Sequence, residues 1–96
     1  MTRTEPWDVA AWPETEEDIA ERLSAAFETG ELEAVTRALA TIARARGMTR
    51  MAKISGMARG SLYKAIGEGA NPTLATLLAM LSALNVSLSV KPKAVA

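Results

Sequence analysis

From Ile19 to Leu84 the apolar patterns repeat at helical spacing and are cut by a glycine or an asparagine, so the fold must be assembled mainly from short helices. Ile19, Leu23 and Phe27 fall at i, i+4 and i+8, with Ala20 and Ala26 beside them, and Gly30 follows. Thr15 precedes this stripe, and Asp18 three residues on approximates a capping box. Glu16, Glu17 and Asp18 suit the positive end of the helix dipole. A second helix is expected over 31–46, with Leu32, Val35, Leu39 and Ile42 as its stripe. Arg44 and Arg46 fall in its last turn, where cations complement the dipole, and Gly47 stops it. Thr49 is expected to cap a third helix over 49–55, ended by Gly56, and a fourth over 58–66 ends at Gly67. Gly67, Gly69, Asn71 and Pro72 form a turn cluster. Thr73 caps a fifth helix that places Leu74, Leu77, Leu78, Leu81 and Leu84 on one face, as core or dimer interface, before Asn85 stops it.

Beyond that point Val86, Leu88 and Val90 alternate with Ser87 and Ser89. Period two predicts a short C-terminal extended strand or an extended tail; a strand needs a partner, either a second copy of the chain or the N-terminal lead. The expected fold class is all-α, five helices with that strand appended. Residues 1–14, holding Pro6 and Pro13, are expected to be an irregular lead whose Trp7 and Trp12 pack on the helices or anchor a partner. Residues 15–90 are expected to be one helical domain and 91–96 a frayed tail.

The residues that are missing narrow the chemistry. The 96 residues include no Cys and no His. That removes disulfides, thiolate nucleophiles, Ser–His relays and imidazole metal ligands. Glu16/Glu17 and Glu31/Glu33 are paired acids, but they sit at helix starts where acids are expected, so an enzyme is not expected and no cofactor is implied. With one Phe, one Tyr and two Trp, the core must be aliphatic. No cationic start leads into an apolar run, so no signal peptide is expected. The apolar stretch Leu74–Leu84 is about half the ~20 residues of a membrane span, which makes a soluble, cytoplasmic protein the expectation.

The formal net charge of zero conceals a segregation. Residues 1–33 hold ten acids against two bases, and residues 34–96 hold nine bases against one acid, Glu68. The C-terminal part, at +8, suits a polyanion such as nucleic acid, and the N-terminal part, at −8, suits a cationic protein partner or simply solubility; helix dipoles and solvation are the competing account of both.

Two short helices joined by a glycine-containing turn predict a helix-turn-helix over 49–66. Ala52 is small where the two helices cross, Gly56 supplies the left-handed turn, and Met51, Met57 and Leu62 close the core between them. The second helix then exposes Arg59, Gly60, Ser61 and Lys64 near its N-terminal end, where backbone amides can meet phosphates and side chains can enter the major groove. Tyr63 is open between core packing and a hydroxyl–phosphate bond. Ile54 is apolar where a solvent-facing polar residue is expected.

Four segments carry a family resemblance: Glu17-Asp18-Ile19-Ala20, Ile42-Ala43-Arg44-Ala45-Arg46-Gly47-Met48-Thr49, Leu62-Tyr63-Lys64-Ala65, and Asn71-Pro72-Thr73 before the leucine-rich last helix. In these the chain resembles the Xre/lambda-repressor-like helix-turn-helix domains, and more narrowly the HigA-like addiction-module antidote proteins. The resemblance implies a homodimeric antitoxin that binds double-stranded DNA, represses its own operon and neutralises a RelE/HigB-type RNA-cleaving toxin. It places Arg59, Gly60, Ser61 and Lys64 at base-reading or groove-facing positions, and Thr49, Arg50 and Tyr63 near phosphates. The chain departs from the pattern at three positions. Ala58 stands where Ser is frequent, which removes a side-chain cap of about 1 kcal/mol. Gly60 replaces a longer polar residue and weakens the helix by about 1 kcal/mol. Arg50 stands where Gln is common. The competing expectations are a stand-alone phage-type repressor and a helical protein-interaction module that no longer binds DNA.

Overall fold

The computed structural model describes residues 15–93. The expectations for residues 1–14, including Trp7 and Trp12, lie outside the described residues, as does the end of the tail. Five helices follow one another: α1 (Glu16–Glu28), α2 (Leu32–Arg46), α3 (Met48–Ser55), α4 (Arg59–Ile66) and α5 (Leu74–Ala83). Among the described residues there is no strand, so the all-α expectation holds and the appended strand does not.

Local chemistry explains most helix ends. Thr15 Oγ1 accepts from the Asp18 amide at 3.0 Å, and the Thr15 amide donates to Asp18 Oδ2 at 3.2 Å, a complete capping box. Thr73 caps α5 by accepting from the Thr76 amide at 3.1 Å. Asn85 closes α5 in the left-handed region at φ 62. The Val86 amide reaches Leu81 C=O at 3.0 Å and the Asn85 amide reaches Ser82 C=O at 3.0 Å, the paired bonds of a Schellman end.

Thr49 does not cap α3. Gly47, at φ 99, bonds through its amide to Ala43 C=O at 2.9 Å and accepts from the Met51 amide at 2.9 Å. One glycine thus ends α2 and starts α3, which begins at Met48 and leaves Thr49 already helical. Gly56 turns the chain between α3 and α4 at φ 77, with its amide on Ala52 C=O at 3.0 Å. A Cβ there would meet nothing within 4 Å, so only backbone strain opposes a side chain. Gly56→Ala is therefore expected to cost about 1–2 kcal/mol. By calorimetry that is a fall in Tm of at least about 4–8 °C in a domain of this size.

The core is aliphatic and drawn from every helix: Ile19, Leu39, Ile42, Met51, Leu62 and Met80 are completely buried, with Leu84 just past α5. The central helix is α2, which packs on α1, α3 and α4, and α5 packs on α3. The α5 stripe differs from the expected one. Leu77, Met80, Leu81 and Leu84 face the core, whereas Leu74 and Leu78 are 62% and 45% exposed. Leu32 in the expected α2 stripe is exposed as well.

The expected strand is instead a single extended strap. After the Asn85 turn the chain runs back beside α1, with Val86 half-buried on the core and Lys91 ion-paired to Glu28. No second segment lies beside it to form a ladder among the described residues. Val86 and Leu88 line a groove beside α1, whereas Val90 is 96% exposed, so the period-two pattern does not mark one covered face along its whole length.

Candidate nucleic-acid interface

The α3–α4 pair turns its apolar residues inward and its cations outward. Met51 and Ala52 of α3 and Leu62, Ala65 and Ile66 of α4 are buried. Thr49, Arg50, Arg59, Gly60, Ser61, Tyr63 and Lys64 are all exposed, as are Lys53 and Ile54. The two helices hold four cations and no acid, and none of Arg50, Lys53, Arg59 and Lys64 is ion-paired among the described residues.

The start of α4 is open. Ala58 is its N-cap and contributes no side-chain hydrogen bond, because a methyl group has none to give. The first intrahelical bond runs from the Leu62 amide to Ala58 C=O at 2.9 Å. The amides of Arg59, Gly60 and Ser61 therefore point out of the helix end. A Cβ on Gly60 would meet nothing within 4 Å, so this exposed turn leaves the backbone directly approachable.

Tyr63 is not a core residue. Its ring is 44% exposed and carries the Arg59 guanidinium, whose Cζ stands 5.6 Å from the ring centroid. Arg59 Nη2 also donates to Tyr63 Oη at 3.2 Å. Stacking and hydrogen bond together hold the guanidinium along the outer face of α4, a contact of about 0.5–1 kcal/mol at an exposed site.

Sequence reasoning missed a second surface, formed by α1 and the strap. Asn85 Nδ2 donates to Glu16 Oε2 at 2.7 Å, and Lys91 pairs with Glu28. The hydrogen bond from Lys91 and its charge hold the Glu28 carboxyl below its usual range. Whatever stability the pair adds is thus present above the ordinary carboxylate pKa and lost as pH falls through the lowered one. The signal was the same period-two run, Val86 to Val90, that suggested a strand.

Among the described residues no group of three or more acidic side chains could hold a metal, and no helix is long and apolar enough to cross a membrane.

Fold and surface together define a small all-helical protein with an acidic first helix and a cationic α3–α4 face. The chain matches a family model described as "Probable addiction module antidote protein" over residues 3–92, and it belongs to that family. A Haemophilus influenzae relative, described as "Uncharacterized protein", is 38% identical over 85 residues, which is 88% of this chain and 88% of that protein. No solved structure matches the chain. An antidote of an addiction module acts against a toxin, so the family implies a toxin partner and describes no reaction catalysed by the antidote itself.

Proposed function

We propose that this antidote is a sequence-specific double-stranded DNA-binding protein of the HigA-like, Xre-type helix-turn-helix class, which represses its own operon and neutralises a RelE/HigB-type toxin. The observation that carries the reading is the α3–α4 face, with four cations that have no ion-pair partner among the described residues, no acid on either helix, and an uncapped helix end between them. In this reading α4 enters the major groove. Arg59, Ser61 and Lys64 reach base edges, Gly60 lets the backbone approach, and Thr49, Arg50 and Tyr63 hold phosphates. The protein acts as a homodimer, since paired half-sites demand two such helices. The exposed Leu74 and Leu78, one turn apart on α5, offer an apolar surface for that contact.

The test is fluorescence anisotropy of the purified protein on its own upstream DNA and on a scrambled duplex, over a series of salt concentrations. The expected result is a preference for the upstream DNA of about 10³-fold or more, with log K falling linearly with log salt. Equal, weak binding to both duplexes removes the repressor reading. It would favour the protein-interaction module, to which Ile54, 52% exposed in the middle of the face, lends support. A stand-alone repressor would show the DNA preference with no toxin encoded in the adjacent reading frame.

A further inference from the structure

The acids of α1 are not spread evenly around it. Glu17, Glu21 and Glu28 recur at i, i+4 and i+11, along one exposed line of the helix. Beside that line Ala20 and Ser24 form one wall of a groove, and the strap residues Ser87 and Ser89 form the other. Its apolar lining is Leu23, Phe27, Leu81, Val86 and Leu88. One wall is therefore edged with negative charge, the other is neutral up to Lys91 at its end, and the floor is greasy. The volume of about 170 Å³ is below the ~300 Å³ at which small-molecule pockets begin. It has room for one or two side chains of a larger partner.

The chain itself shows what the charged edge accepts. The Lys91 ammonium, carried in from the strap, sits on the Glu28 carboxylate. Glu17 and Glu21 have no such cation among the described residues. The anionic edge repels a phosphate backbone, and α1 shares no element with the cationic face. Resting on the antitoxin reading above, we propose that the groove between α1 and residues 86–91 docks a cationic amphipathic segment of the toxin. A Lys or Arg of that segment takes the Glu28 seat that Lys91 fills in the free chain, while an apolar neighbour enters between Phe27 and Leu88.

The partner used in the test is the purified product of the adjacent reading frame, titrated against the full chain at low and at physiological salt. Glu17→Lys/Glu21→Lys is expected to weaken capture about tenfold or more, most of all at low salt. Glu28→Gln and Lys91→Ala form the sharper pair, because both break the same latch. Glu28→Gln removes the seat and is expected to weaken capture by about fivefold, whereas Lys91→Ala removes the competitor and tightens it by about twofold or more. Upstream-DNA binding of every variant reports that the fold is intact. Weakening by both latch variants alike would mean that only the strap's position matters, and overturns the proposal. Unchanged capture by all the variants overturns it too, with the antitoxin reading left standing. So does a loss of self-association in Glu17→Lys/Glu21→Lys with capture unaltered, which would make the groove a contact between copies. No capture by the wild-type chain would end the antitoxin reading and this proposal together.

Discussion

The Arg59→Ala/Lys64→Ala variant is expected to lose its preference for upstream DNA while remaining folded. Each side chain is exposed on α4 and paired with no acid among the described residues, so neither removal leaves a buried group without a partner. A base-edge contact is worth about 1–3 kcal/mol, and two such losses weaken specific binding by roughly 30-fold to more than 10³-fold. The two residues act through different geometry. Arg59 lies on the Tyr63 ring and must swing off it or carry it into the groove, so Tyr63→Phe, which keeps the ring and loses the hydroxyl, tests the hydrogen bond alone. Lys64 has no such tether. Arg50→Ala, removing the proposed phosphate contact, should instead weaken all duplexes alike and make the salt slope shallower by about 1. Arg37→Ala is the control, since Arg37 lies on α2 with Glu33 at 3.8 Å. A double variant that still prefers upstream DNA as strongly as wild type would take α4 out of the interface.

The helix ends that could be read from sequence are those fixed by neighbouring residues. Thr15 with Asp18, Thr73 at α5 and Asn85 after it each act within about four residues, so composition at those positions settles the conformation. Thr49 misled because a good capping residue does nothing where Gly47 has already started the helix. The α5 stripe was misread for a different reason. Leucine suggests burial, but Leu74 precedes the part of α5 that meets the core, and Met80, not Leu78, falls on the inner face. Period two at Val86, Leu88 and Val90 marks extended backbone, and the ladder that makes it a strand depends on a second segment; only Val86 is drawn onto the core, and Val90 is 96% exposed. Exposure of all seven candidate residues followed from the inward demand of Met51, Ala52, Leu62, Ala65 and Ile66. The Arg59–Tyr63 stack, although only one turn apart in sequence, depends on rotamers that spacing does not specify.

Leu62→Ala should be among the most damaging single changes to the chain, and it connects the core to the cationic face. Leu62 is completely buried and anchors α4 together with Ala65 and Ile66, its other inner residues. With only eight residues and no side-chain cap, α4 has little helix stability of its own and is held by that packing. Truncation to Ala removes the transfer energy of the lost atoms and leaves a cavity, about 2–5 kcal/mol together. In a domain of this size the fall in Tm is about 8 °C at the least, and several-fold more at the upper end. The same substitution at Leu74, 62% exposed, should stay within about 0.5 kcal/mol. Any further loss there should depend on protein concentration, as a dimer contact would. Calorimetry at two concentrations separates the cases. If Leu62→Ala unfolds no more easily than Leu74→Ala, then α4 is not anchored through the core. If it destabilises the fold as expected, upstream-DNA binding should weaken well below the new Tm as well, because an α4 that has lost its anchor no longer holds Arg59 and Lys64 in a fixed relation to α3.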